Sequence, residues 1–184
     1  YNKVQNTTAK RINFVVQQCS RLTSAILTTL KDGFFPIILS GDHSSALGSL
    51  AGIKKAYPTK TLGAIWIDAH ADLHSPFSTP SGNIHGMPLA AALGNDNIEY
   101  QKNQVGAQAL LDWEALKNMG GVPPILAPQH LIYFGVRDYE AEEAAIMEKH
   151  QIKNYSVHEL RQRSFEVCIN ETLKRLEDVD LIYI

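Results

Sequence analysis

Residues 62–67 read Leu62-Gly63-Ala64-Ile65-Trp66-Ile67, and Asp68-Ala69-His70-Ala71-Asp72 follows without a break. A run this short and this apolar predicts a strand buried on both faces, the pattern of a parallel sheet. Residues 35–39 repeat the signal with Phe35, Ile37, Ile38 and Leu39, and lead into Gly41-Asp42-His43-Ser44. Each predicted strand therefore ends in a segment rich in potential ligands. In open parallel sheets, ligands bind beyond the carboxyl ends of the strands, so both segments are expected to face one crevice.

Helical signals alternate with the strands. Ile12, Val15, Val16, Cys19, Leu22, Ile26 and Leu30 recur at three and four residues, one stripe along a helix that Asp32 and Gly33 end. Further helices are predicted over residues 44–56, over a short Ala-rich stretch after Pro88, and over residues 107–118, 139–150 and 165–176. Further strands are predicted at residues 131–134, 152–157 and 181–184. Strand alternating with helix predicts an α/β fold, a three-layer α/β/α sandwich around a mostly parallel sheet with right-handed crossovers. Residues 1–184 read as one domain, without a repeat or a linker. Residues 1–8 are expected to be disordered.

The chain has 184 residues, with 17 basic and 19 acidic side chains, 45% apolar and 20% charged. A formal charge of -2 gives no electrostatic reason to expect a nucleic acid or a membrane surface as partner. A small polar substrate remains. No apolar run approaches the roughly 20 residues a membrane-crossing helix needs, and no signal peptide is evident, so a cytoplasmic protein is expected. Cys19 and Cys168 lie far apart without metal-type spacing and read as reduced thiols. The sequence opens at Tyr1 and stops inside an apolar run at Ile184, which suggests a piece of a longer chain, truncated at both ends.

Residues two apart in extended chain project to one side, so Asp68, His70 and Asp72 can converge on one point, with His43 delivered from the neighbouring strand end. Carboxylates with imidazole suit a divalent ion such as manganese. A bridging carboxylate would favour two ions, and the absence of cysteine argues against structural zinc. The plainer alternative makes Asp68 and Asp72 caps of a helix or turn and His70 a satisfied histidine. Downstream, Ser81-Gly82-Asn83-Ile84-His85-Gly86 forms a loop able to approach a ligand closely. Ser81 and Asn83 offer hydrogen bonds to an anion or amide, and His85 is of the residue type that moves protons near neutral pH. The same letters could simply be a polar loop feeding a helix.

The strings FFPIILSGDHSSALG at 34–48, WIDAHADLHSP at 66–76 and SGNIHGMPLA at 81–90, with FGVRD at 134–138, resemble the arginase branch of the arginase, agmatinase and formiminoglutamase family. The resemblance covers nearly the whole chain as the middle of a longer protein. It implies hydrolysis of L-arginine to L-ornithine and urea by a hydroxide shared between two manganese ions. By matching positions, His43 and Asp72 hold one ion, His70 holds the other and Asp68 bridges them. Asp72 and His85 are the catalytic residues, His85 carrying a proton to the leaving amine. Ser81 and Asn83 grip the substrate's α-carboxylate, and Glu140 and Glu143 fall where the family places acidic groups near the α-amino group. Those two glutamates could equally be solvated helix charges.

The chain departs from the family pattern in places. His74 stands where an asparagine contacts the α-carboxylate, Glu140 replaces an aspartate, and Ser40 replaces a glycine. A Ser-Phe-Asp-x-Asp element that supplies two further carboxylates in the family has no counterpart before Ile184. The resemblance therefore implies weak metal binding and little or no activity for this polypeptide alone, and a homo-oligomer for the full-length protein. A related amidinohydrolase of the agmatinase kind, a metal-poor piece serving only for packing or oligomer contacts, and a zinc deacetylase on a similar sheet are the alternatives. The deacetylase leaves residues 81–88 unexplained.

Overall fold

The structure, a computed structural model, describes residues 6–121 and 123–184. The disorder expected at residues 1–8 falls largely outside them; Thr7 and Thr8 are described and pack against Gly82. The chain gathers into two compact units. One comprises the described residues up to Pro58 together with Asp72 to Ile125, and the other comprises Thr59 to Ala71 with Leu126 to Ile184.

In the first unit, α1 (Ile12–Lys31) buries Ile12, Cys19, Thr23 and Ile26, members and neighbours of the predicted stripe. Gly33 follows in the left-handed conformation that ends helices. α2 (Ala46–Ala56) packs on α1 through Gly48 and Gly52, one turn apart. A Cβ on Gly48 would sit 2.8 Å from the Cys19 carbonyl oxygen, and one on Gly52 would sit 2.6 Å from the Ile26 Cβ. Glycine is thus what lets the helices approach, and Thr23 Oγ1 seals the contact by donating to the Gly48 carbonyl at 3.0 Å. α3 (Pro88–Ala92) begins on a proline, whose missing N–H costs nothing at that position. In α4 (Ala107–Lys117), Trp113 Nε1 and Lys117 Nζ both donate to Asp96, at 2.8 and 2.7 Å.

The second unit carries a four-stranded parallel sheet in the order β3-β2-β1-β4, with β1 at Leu62–Ile67, β2 at Leu131–Phe134, β3 at Lys153–Tyr155 and β4 at Leu181–Tyr183. Ala64 stands opposite Leu131 and Ile67 opposite Phe134. β2 is buried at every position, as its unbroken apolar run requires. α5 (Ala141–Lys149), α6 (Val157–Arg163) and α7 (Phe165–Arg175) complete the unit, and Leu160, Cys168 and Leu176 cluster with Ile132, Phe134 and Tyr155. α6 escapes a periodicity reading because only Val157 and Leu160 are apolar. Its signal is the cap: Ser156 Oγ accepts from the Glu159 N–H at 3.1 Å.

One predicted strand is absent. Residues 35–39 form no strand, and Phe35, Ile37 and Leu39 are 88, 83 and 95% exposed. The apolar run marks what the segment would bury, but a strand also needs a partner, and none of the described strands pairs with it. Both cysteines are free, in keeping with their reading as reduced thiols, and both are buried. Among the described residues no helix is long and apolar enough to cross a membrane.

Candidate functional site

The candidate ligands are divided at the boundary between Ala71 and Asp72, so each unit carries its own part. In the first unit, Asp42 caps a single 3-10 turn, its Oδ1 accepting from the Ser44 N–H at 2.9 Å. The capped turn presents His43, half-buried, with Nδ1 3.1 Å from Asp72 Oδ2. Asp72 is 4% exposed and has a φ of 53°, left-handed backbone that an L-residue adopts at a cost of about 1 kcal/mol or more. The Leu89 N–H donates to the Asp72 carbonyl at 3.2 Å, tying the aspartate to the start of α3.

In the second unit, the Asp68 N–H donates to Phe134 at the end of β2, and the chain then bends. Asp68 Oδ1 accepts from the backbone N–H of Ala69 and of His70, at 2.5 and 3.2 Å, which holds the carboxylate over the bend. His70 is exposed; its Nδ1 lies 3.5 Å from Asp68 Oδ1 and its Nε2 3.5 Å from Asp138 Oδ2. Asp138 stands opposite His70 in an isolated parallel bridge, and the N–H groups of Arg137 and Asp138 both donate to the Ala69 carbonyl at 2.9 Å. Sequence reasoning passed over Asp138, although the string after β2 that ends in it was part of the family pattern. An open cavity of about 540 Å³ lies beside Asp68, lined also by Ile67, Phe134, Arg137, Leu160 and Phe165.

The bend and the left-handed Asp72 correct the argument from alternation. Asp68, His70 and Asp72 do not lie along one extended strand, so turns rather than a period of two orient their side chains.

The remaining candidates occupy ordinary structural positions. His74 is buried, with Nδ1 3.3 Å from Ser78 Oγ, and its N–H donates to the Gly86 carbonyl, fastening residues 72–74 to the 81–88 loop. Ser81 is exposed and its Oγ accepts from the Asn83 N–H at 3.2 Å. His85 is exposed in the 3-10 turn Ile84–Gly86. Glu140 and buried Glu143 form a reciprocal capping box at the start of α5, the Glu140 N–H donating to Glu143 Oε2 at 3.2 Å.

The donor set fits a hard divalent ion. Two donors adjacent on an octahedral ion with bonds of about 2.1 to 2.2 Å lie about 3 Å apart, and His43 Nδ1 and Asp72 Oδ2 are 3.1 Å apart. Imidazole with carboxylate is a donor set for a divalent transition ion, whereas calcium takes oxygen alone.

A sequence model described as Arginase family matches residues 2–184. The chain is 35% identical over 169 residues to the arginase of Bacillus caldovelox, covering 92% of this chain and 50% of that protein. The arginase structure from Bacillus cereus superimposes with a TM-score of 0.83 at 33% identity, covering 97% of this chain and 55% of that one. The arginase of Entamoeba histolytica in complex with L-ornithine superimposes with a TM-score of 0.78 at 29% identity, covering 98% of this chain and 56% of that one. The chain spans about half the length of the curated relatives it matches. Its parallel sheet with flanking helices is the α/β fold of these structures.

Proposed function

Because the chain belongs to the arginase family, we propose that it carries the metal-binding part of a manganese-dependent hydrolase that converts L-arginine to L-ornithine and urea. The observation that carries the reading is the His43 and Asp72 pair, two ligand atoms of the right kind at 3.1 Å on a strained, buried aspartate. Asp68 and His70 are the proposed ligands from the second unit and would hold metal through a carboxylate and an imidazole. Two manganese ions held by these four residues would supply a hydroxide nucleophile at neutral pH, which a poorly electrophilic guanidinium carbon needs.

The chain's own residues do the rest in this proposal. His85, exposed on its turn, delivers a proton to the departing amine, without which the carbon–nitrogen bond cannot break to give ornithine. Ser81 and Asn83 donate to the substrate's α-carboxylate, and His74 fastens the loop that holds them. Glu140 and Glu143 are the proposed acceptors for the α-amino group, the capping box setting the position of both carboxylates. The Entamoeba histolytica neighbour, described in complex with L-ornithine, supports an amino acid of this kind as ligand.

Asp68 and Asp72 bring two carboxylates to two dications, so about two positive charges stay unmatched in a partly desolvated place. Weak metal affinity and slow turnover are therefore part of the proposal. The test is metal analysis after dialysis against manganese, joined to urea release from L-arginine and from agmatine. Bound manganese with a preference for L-arginine supports the reading. A protein that takes up no manganese, or that prefers agmatine, overturns it.

A further inference from the structure

Lys10 lies just ahead of α1, and sequence reasoning gave it no role. Its backbone N–H donates to the Gly82 carbonyl at 2.7 Å, so the chain entering α1 runs directly over the 81–88 loop. Gly82 makes the approach possible: its φ is +73° and a Cβ there would lie 1.8 Å from the Thr7 carbonyl oxygen. No other residue fits. From this clamped position the half-buried Lys10 side chain places Nζ 3.3 Å from Asn83 Oδ1. Among the described residues no carboxylate comes within ion-pair distance of that ammonium.

Each of the three side chains gathered here keeps at least one hydrogen-bond donor to offer a ligand. The ammonium has three N–H donors and no acceptor, and Asn83 Oδ1 takes only one of them. With its oxygen turned to Lys10, the Asn83 amide retains its NH2. Ser81 Oγ already accepts from the Asn83 N–H, which leaves its O–H as a donor. A cluster of donors that includes a half-desolvated cation recognises an anion.

We propose that Lys10 is a substrate-binding residue that forms the cationic third of a carboxylate clamp with Ser81 and Asn83, and that it sets the preference for an α-amino acid over its decarboxylated amine. The inference rests on the proposed function for the identity of the amino acid. Lys10 supplies what the neutral pair lacks, a formal charge opposite the carboxylate. Agmatine, which is arginine without that group, gives the ammonium nothing to bind.

The experiment measures binding of L-arginine and of agmatine to the manganese-loaded protein by saturation-transfer NMR, for the wild type, Lys10→Met and Lys10→Arg. Circular dichroism confirms the fold of each variant. Loss of a charge-assisted hydrogen bond predicts that Lys10→Met binds L-arginine about 10- to 100-fold more weakly while agmatine is unaffected. Lys10→Arg, which keeps the charge, is expected to restore most of the difference. Equal weakening of both ligands in Lys10→Met shows a merely structural lysine and overturns the inference. An unchanged L-arginine affinity overturns it too, leaving the proposed function standing. A wild-type protein that binds neither ligand overturns both.

Discussion

His43 Nδ1 stands 3.1 Å from Asp72 Oδ2, although the two residues lie 29 positions apart and one of them is held in left-handed backbone. Two separate devices hold this distance: the Asp42 cap that turns His43 inward, and the Leu89 N–H that grips the Asp72 carbonyl. Both devices act through the backbone on either side of the pair, the first at the turn that carries His43 and the second at the Asp72 carbonyl.

It follows that Asp72→Asn removes a charge without changing shape. Manganese at 100 times its dissociation constant stabilises the protein that binds it by about 2.7 kcal/mol. Wild type is expected to gain thermal stability on titration with manganese, and Asp72→Asn is expected to need at least ~10-fold more metal for the same shift. Superimposable manganese titrations in differential scanning fluorimetry would remove Asp72 from the ligand set.

Asp138 makes a second case. His70 Nε2 lies 3.5 Å from Asp138 Oδ2 and Nδ1 lies 3.5 Å from Asp68 Oδ1, so Asp138 stands where a partner would orient the ring of a proposed ligand. Losing such a partner ordinarily costs roughly 10- to 100-fold in metal affinity. Asp138→Ala is expected to weaken manganese binding within that range, read by electron paramagnetic resonance of the free ion, while leaving the far-ultraviolet circular dichroism unchanged.

Much of this arrangement is legible in the letters. β1 and β2 stand where their apolar runs predict them, because a strand buried on both faces leaves a local signature. His43 and the Asp68 to Asp72 motif are picked out as candidates by residue type and by their place after apolar runs. Residues 35–39 carry the same apolar signature and form no strand, since pairing depends on a partner that local sequence does not contain. The left-handed Asp72 and the approach of Lys10 to Asn83 were likewise invisible: each is imposed by a contact distant in sequence. α6 was missed for a different reason, having a clear cap but almost no apolar stripe.

The packing of α1 on α2 gives a prediction whose sign is informative. Replacing glycine by alanine inside a helix ordinarily stabilises by roughly 0.5 to 1 kcal/mol. At Gly52 the new methyl would stand 2.6 Å from the Ile26 Cβ, an atom fixed to the backbone of a buried residue that cannot swing aside. Overpacking of this kind costs about 1 to 3 kcal/mol, so Gly52→Ala is expected to lower Tm by several degrees. A raised Tm in calorimetry would show that the helices move apart without penalty.

Cys19 is expected to be chemically silent. Burial pushes its thiol up to about 11, with the Asp42 carboxylate adding to the shift and a backbone hydrogen bond from Gly48 opposing it. At pH 8 about one molecule in a thousand then carries the thiolate, the form that reacts. Cys168 is fully buried as well. Ellman's reagent is expected to find no fast-reacting thiol in the native protein at pH 8, and two after unfolding in guanidinium. Rapid labelling of one thiol in the folded state would contradict the packing of α1 against Ser44, whose carbonyl accepts from Cys19 Sγ at 3.3 Å.

Acid sensitivity is expected to arise partly at α6. Partial burial pushes the Glu159 carboxyl up, but Lys153 Nζ donating at 2.8 and 3.0 Å and Arg163 Nη1 donating at 2.7 Å outweigh it and hold the group below the usual glutamate range. A carboxyl whose folded value lies below its unfolded one contributes stability above the unfolded value, and the contribution fades as pH falls through the folded value. The window therefore opens near the ordinary glutamate value of about 4.3 and extends below it. Glu159→Gln carries no such titration. Its Tm is expected to lie below that of the wild type at pH 7, with the gap closing as the pH falls past 4. A constant gap in calorimetry from pH 7 to pH 3 would mean that Lys153 and Arg163 hold the glutamate only through geometry and not through its charge.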